Sequence, residues 1–117
     1  PISAYTKYFQ NGNVNYRAWM YDNKYHRNSL HGPAIQGFSD QGELISVEYR
    51  VSGDPSRPYK LGPASAFLST TDNSRIVEFW KDARMTYRFR IPREKNWDMP
   101  LSYYLKEHSK DEIFYTK

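Results

Sequence analysis

The chain has 117 residues, and its 17 basic and 13 acidic residues leave a net charge of +4. It contains no cysteine, which excludes disulfides, cysteine-ligated zinc, iron–sulfur clusters and thiol catalysis. Eleven Tyr, six Phe and three Trp supply the apolar area of a core, since each ring can bury about 150–250 Å². We therefore expect one folded domain over residues 1–117 with an aromatic core.

Short apolar segments, turns and strands alternate along the chain. A first turn is predicted at Asn11-Gly12, because Asn-Gly is the strongest short signal for a type I′ hairpin turn, in which both central residues have positive φ. Strands are predicted over 14–21, 44–51 and 75–81, each followed by a second turn. In the middle strand, apolar residues alternate with polar ones, which predicts one buried and one solvated face.

The chain also matches itself when it is shifted by thirty residues. Gly32-Pro33-Ala34 meets Gly62-Pro63-Ala64, and Val47-Glu48-Tyr49 meets Val77-Glu78-Phe79. Large rings coincide at Trp19, Tyr49 and Phe79. We interpret each copy as a hairpin followed by an irregular arm that ends in Gly-Pro-Ala. The predicted copies are about 5–34, 35–64 and a truncated 65–91.

Residues 92–117 are predicted to cap the last copy. Apolar and aromatic residues at helical spacing predict a short helix over 99–108, with Asp98 as its cap and Pro100 in its first turn. An extended end is predicted over 113–115. The predicted fold class is therefore mainly all-β: an antiparallel meander of about three 30-residue hairpin repeats with a short C-terminal helix as a cap.

The first copy resembles a known repeat family. Trp19-x-x-Asp22-Asn23-Lys24-x-His26-Arg27, followed by Gly32-Pro33-Ala34, is similar to bacterial and phage repeats that read roughly W-x-x-[DN]-G-K-x-H-R-x-D-G-P-A, which are MORN-like. The resemblance covers about residues 8–90, is partial in the second copy, where Ser56 replaces His, and is weakest in the third. It implies serial β-hairpins that serve as a binding scaffold in a small phage-type accessory or host-interaction factor.

A basic stretch over residues 84–95 has five basic residues against Glu94, so its net charge equals that of the whole chain. The basic residues are Arg84, Arg88, Arg90, Arg93 and Lys95. Alternation predicts one strand face with Arg84, Thr86, Arg88 and Arg90, opposite Met85, Tyr87, Phe89 and Ile91. The first interpretation is a solvated face. The second is contact with an anionic partner, either nucleic-acid phosphate or an acidic protein patch.

The first arm supplies a second set of candidate binding residues: Tyr25, His26 and Arg27. A metal-independent nuclease could use His26 and His31 as acid and base, with Arg27 or Lys24 on the phosphate. The second copy has Ser56 at the position of His26, which favours a structural role instead. No catalytic residue, metal site or cofactor is predicted.

The expected function is a non-enzymatic repeat module that binds a macromolecule, a protein in the first instance, because Tyr and Arg are typical of interface hot spots. Nucleic-acid binding through 84–95 and a His-dependent nuclease are the alternatives. An open sheet edge favours a homodimer as well. Without cysteine, a signal-peptide pattern or an apolar run near the ~20 residues of a membrane span, we expect a cytoplasmic protein, in the host cytoplasm if it is phage-encoded.

Overall fold

A computed structural model describes residues 2–108, and it confirms the predicted fold class: a mainly β, antiparallel meander. Its elements are β1 (Ser3–Tyr8), β2 (Val14–Tyr21), β3 (Lys24–Tyr25), β4 (Ile35–Phe38), β5 (Leu44–Glu48), β6 (Arg50–Val51), β7 (Asp54–Pro55), β8 (Ser65–Leu68), β9 (Ser74–Lys81), β10 (Arg84–Pro92) and α1 (Leu101–Glu107). The number of repeat copies stays a prediction.

One antiparallel sheet runs through the molecule in the order β1-β2-β4-β5-β8-β9-β10, so that consecutive hairpins lie side by side. The short β3 pairs with β2, and β6 and β7 form a separate two-stranded ribbon. The long sheet therefore has two edge strands, β1 at the N-terminal end and β10 at the C-terminal end.

The strand register divides the side chains between two faces, because directly paired residues lie on the same face. One row across the sheet consists of Thr6, Arg17, Gln36, Val47, Ala66, Val77 and Phe89. The adjacent row, on the opposite face, consists of Lys7, Tyr16, Gly37, Ser46, Phe67, Ile76 and Arg90. The first face is called the arm face, since the arms and the helix pack on it, and the second is called the back face.

The hydrophobic core lies on the arm face at the C-terminal half of the sheet. Its buried members are Val47, Ala66, Val77, Phe79, Phe89, Ile91, Leu101 and Tyr104. The Tyr104 ring stacks on Phe89 with 5.1 Å between centroids and meets Phe79 edge-on at 5.6 Å. The Tyr104 hydroxyl donates a hydrogen bond of 2.5 Å to the Trp97 carbonyl, so this buried phenol is satisfied. The helix thus covers the last strands, as expected of a cap.

The type of the first turn differs from the prediction. Between β1 and β2 only Gly12 has positive φ, +92°, and its N–H donates to the Phe9 carbonyl at 3.0 Å. The Asn11 side chain instead accepts a hydrogen bond of 3.0 Å from the Asn13 N–H, and Asn11 does not have positive φ. Paired positive φ values, the mark of type I′ turns, occur at the second turns: Asp22-Asn23, Ser52-Gly53 and Asp82-Ala83.

The predicted strand over 44–51 is divided at Tyr49. Its N–H donates to the Ala64 carbonyl at 2.7 Å, and its carbonyl accepts the Ser56 N–H at 2.9 Å. Tyr49 therefore joins its hairpin to both ends of the second arm. The strand predicted over 14–21 coincides with β2, and the one over 75–81 begins one residue earlier, at Ser74.

The helix is shorter than the predicted 99–108, and Asp98 does not cap it. The cap position is Pro100, which has no side-chain hydrogen bond to the helix. Asp98 instead accepts a hydrogen bond of 2.6 Å from Arg57, an ion pair between the second arm and the tail. The predicted extended end over 113–115 lies outside the described residues.

Candidate functional site

The predicted alternation of the basic strand is confirmed over its second half and wrong at its start. Phe89 and Ile91 are buried, whereas Arg90 is exposed. A β-bulge lies between Met85 and Tyr87, so that Met85 pairs with Trp80 while Tyr87 pairs with Phe79. The extra residue reverses the alternation. Met85 therefore lies on the same face as Arg90, and Arg84 does not.

Carboxylates from other elements balance most of the basic strand. The pairs are Arg88 with Glu78 (3.7 Å), Arg90 with Asp72 (3.0 Å) and Arg93 with Glu43. Arg90 also donates to the Ser74 hydroxyl at 2.8 Å. A hydrogen bond from Ser74 and the nearby Arg90 guanidinium hold the pKa of Asp72 below its usual range. The cluster of positive charge in the sequence is therefore not an uncompensated cationic surface in the fold.

The remaining basic candidates lie at the two ends of β10. Arg84 pairs with Lys81 beside the β9–β10 turn, and Lys95 follows the strand, with its N–H donating to the Pro92 carbonyl at 3.1 Å. Tyr25, His26 and Arg27 lie beside β2, near the opposite edge of the sheet. The fold therefore does not bring the two predicted sets of binding residues together.

Each arm carries an arginine that stacks on an aromatic ring of the preceding hairpin. The Arg27 guanidinium carbon lies 3.8 Å from the centroid of Trp19, and that of Arg57 lies 3.9 Å from Tyr49. Both guanidinium groups also donate to the carbonyl of a proline, Arg27 to Pro33 at 3.3 Å and Arg57 to Pro63 at 3.2 Å. Cation–π attraction and a charge-assisted hydrogen bond thus fix both arms in the same way. The same contact recurs after thirty residues.

The Gly-Pro-Ala motif has a physical role in this contact. Gly62 has φ +141°, and a Cβ there would lie 2.4 Å from Arg57 Nη1. Glycine thus leaves room for the guanidinium, and the next residue, proline, supplies the carbonyl. Ala64 is fully buried, and its N–H donates to the backbone carbonyl of Glu78 at 2.9 Å. The pairing of β8 with β9 begins at the next residue, Ser65.

The two arms differ in one contact. Arg57 also donates to Asp98 at 2.6 Å, and its side chain is only 7% exposed. Arg27 contacts the Trp19 ring and the Pro33 carbonyl, but no carboxylate of residues 2–108 forms an ion pair with it. The sequence shows that Arg27 and Arg57 are thirty residues apart. It does not show that Asp98 pairs with Arg57.

His26 is a structural link between the first two hairpins. Its ring Nδ1 accepts a hydrogen bond of 2.9 Å from the Ser52 backbone N–H, and its ring contacts Tyr21. The His26 backbone N–H donates to the Trp19 carbonyl at 2.9 Å. His108 packs against Phe89 in the core, 5.1 Å between ring centroids. In the described part of the chain no three His, Cys, Asp or Glu side chains form a group suited to a metal ion.

The predicted binding residue Tyr25 lies in a surface at the N-terminal edge of the sheet, whose other members the sequence did not group with it. Four side chains of the back face line a shallow depression there, and we call them the tyrosine surface: Tyr5, Tyr16, Met20 and Tyr25. Tyr5 is 51% exposed and Tyr25 38%. The Tyr5 and Tyr16 rings lie 5.7 Å apart, and hydrogen bonding with Tyr5 raises the pKa of Tyr16. Every residue of β1 is exposed.

The chain matches no family model, no curated protein and no solved structure. Within residues 2–108, no helix has both the length and the apolar character that a membrane crossing needs. The functional interpretation therefore depends on the geometry of the surfaces described above, and membership of a MORN-like family stays a prediction.

Proposed function

We propose that this chain is a non-enzymatic module that binds a protein partner through the tyrosine surface and the adjoining edge of β1. The observation that supports this most strongly is that the six residues of β1, at the edge of the sheet, are all exposed. An edge strand presents unpaired N–H and C=O groups to a partner strand. Partly exposed Tyr side chains beside that edge are typical anchors of protein interfaces.

The opposite end of the sheet supports this choice by contrast. Helix α1 packs on the arm face of the last strands, and the arginines of β10 lie against Glu78, Asp72 and Glu43. A phosphate backbone is attracted by cations that are not already neutralised. We therefore replace the predicted arginine strand with the tyrosine surface as the proposed contact, and a protein remains the preferred partner.

Retention of a partner from a nuclease-treated cognate lysate tests the proposal. The immobilised wild-type chain should retain a protein, and a Tyr5→Ser/Tyr25→Ser variant should lose it, since both anchors are removed from the surface. The matched control is Arg88→Gln/Arg90→Gln, which changes the other edge and should retain the partner. Retention of nucleic acid alone from an untreated lysate, or loss of the protein only in the arginine variant, would contradict the proposal.

A second copy of the chain is the other occupant that the β1 edge could accept. Sedimentation of the purified protein separates the two cases. A monomer at tens of micromolar is expected if the edge serves a different protein. A dimer that dissociates in the Tyr5→Ser/Tyr25→Ser variant would assign the edge to self-association and overturn the assignment to a different protein.

A further inference from the structure

The second arm is covered by a segment of the chain itself. Asp98 accepts a hydrogen bond from Arg57, and its own N–H donates to the Asn96 side chain at 2.9 Å. Three residues later, the Leu101 N–H donates to the Tyr59 carbonyl at 3.0 Å. Residues 98–101 are therefore bonded to the second arm at two points before helix α1 continues. The stack of Tyr49 and Arg57 is therefore completed by a carboxylate on a segment without regular secondary structure.

The first arm has the same stack without that segment. Arg27 lies on Trp19 at the same separation and donates to the matching proline carbonyl. At Gly32 the three atoms nearest to an added Cβ all belong to Arg27, whereas at Gly62 Asp98 Oδ1 is among them, at 2.7 Å. Among residues 2–108, no carboxylate thus takes on the first arm the place that Asp98 occupies on the second.

We propose that the stack of Trp19 and Arg27 is a docking site for an acidic segment of the partner protein, whose Asp or Glu side chain binds Arg27 as Asp98 binds Arg57. This inference rests on the proposed function in so far as the occupant is a protein. It places the charged part of the interface on the first arm, on the arm face beside His26, whereas the tyrosine surface lies on the back face at the same end of the sheet.

The chemistry favours a carboxylate at this position. A guanidinium that stacks on an indole is held in one plane, and its outer N–H groups can form paired hydrogen bonds with a carboxylate. On the second arm the occupant is the Asp98 carboxylate, whose Oδ1 lies 2.7 Å from the position that a Cβ on Gly62 would take. A phosphate group is larger, so a phosphorylated segment becomes an outcome of the test and not the proposal.

The chain supplies its own probe, because residues 95–101 contain the segment that completes the second arm. An acetylated and amidated peptide Lys-Asn-Trp-Asp-Met-Pro-Leu is titrated to millimolar concentration into the isotope-labelled protein. NMR signals of the Trp19 indole N–H and the Arg27 Nε–H should shift saturably. The same peptide with Asn in place of Asp should bind at least tenfold more weakly, since the neutral amide forms no ion pair.

Variants of the protein provide the controls. Arg27→Gln should lose the shifts, and circular dichroism shows whether it remains folded. Arg27→Lys keeps the charge but not the planar fork, and it should bind at least tenfold more weakly than wild type. Arg90→Gln, a matched loss of one arginine elsewhere, should behave as wild type. Absence of a saturable shift, equal binding of the Asn peptide, or tighter binding of inorganic phosphate than of the peptide would overturn the proposal.

The two proposals can fail separately. If the wild-type chain and Arg27→Gln retain the same partner from a lysate to the same extent, the docking site is wrong and the proposed function stands. If no protein is retained but the peptide binds in an Asp-dependent manner at Trp19 and Arg27, the carboxylate site stands and the proposed function is wrong.

Discussion

At the scale of single residues, one glycine and one tyrosine carry the clearest energetic consequences. Gly62 has a φ that side chains rarely adopt, and it lies against the guanidinium of Arg57. Tyr104 is fully buried at the centre of the aromatic core. Substitutions at these positions probe the arm and the cap independently, because each residue belongs to a different contact.

Replacement of Gly62 by Ala should destabilise the fold by about 2–3 kcal/mol, since backbone strain and a displaced ion pair act together. The new Cβ would approach Arg57 Nη1 to 2.4 Å and Asp98 Oδ1 to 2.7 Å. Gly12→Ala is the matched control, because Gly12 also has positive φ but, its chain neighbours aside, no atom of residues 2–108 lies within 4 Å of its Cβ position. Urea unfolding should show a loss of only about 1 kcal/mol there. Equal losses would contradict the close approach in the arm.

The stability of the protein should fall in strong alkali. Burial raises the pKa of Tyr104 above its ordinary value of 10.0. Below pH 10 the phenol is neutral in both states, so its stabilising contribution is fully present. Above that pH the unfolded chain loses this proton and the folded chain keeps it. The free energy of unfolding then decreases by up to about 1.4 kcal/mol per pH unit.

A Tyr104→Phe variant should show a shallower decrease when urea unfolding is measured between pH 9 and pH 11. The decrease should not vanish, because burial also raises the pKa of Tyr49. An identical slope in wild type and variant would show that Tyr104 is not the source of the pH dependence.

At the scale of elements, the second turn of each hairpin determines how the strands pair. All three turns place two consecutive residues in the left-handed region, and in the β9–β10 turn these are Asp82 and Ala83. Alanine is poorly suited to the φ of +61° that it adopts there. The β9–β10 hairpin is therefore held by its packing against the core at the expense of local backbone preference.

Ala83→Gly should stabilise the protein by about 1 kcal/mol, because glycine removes the steric cost of positive φ. The reciprocal change, Gly53→Ala, alters the equivalent turn at φ +89° and should destabilise it. The thermal unfolding temperatures of both variants, compared with that of the wild type, test these two expectations. A destabilised Ala83→Gly variant would show that the turn does not have the type I′ conformation.

The sequence predicts local structure well where a short pattern determines it. Alternation and turn residues located β2 and β9, and the helical spacing located α1. The pattern failed where one extra residue or one distant partner decides: the bulge at Thr86 moved Met85 to the other face, and Asp98 pairs with Arg57 instead of capping the helix. The bulge depends on how two strands pair, and Arg57 and Asp98 are 41 positions apart in the chain, so the local pattern contains neither.

At the scale of the whole molecule, charge along the sequence differs from charge on the surface. The net charge of residues 84–95 equals that of the whole chain. Folding nevertheless places Glu78, Asp72 and Glu43 against three arginines of this stretch. The first arm has no basic cluster in the sequence, but its Arg27 has no carboxylate partner within the described range. The sheet is therefore asymmetric, with a covered C-terminal half and an exposed N-terminal edge.

Hydrogen exchange of the chain, measured alone and with its retained protein partner, tests this asymmetry most directly. Binding should slow amide exchange in residues 3–8, where the edge strand gains hydrogen bonds, and in residues 24–34, where the first arm is covered. Exchange in residues 84–95 should remain unchanged. Protection confined to residues 84–95, with none in β1 or the first arm, would contradict binding through the N-terminal edge.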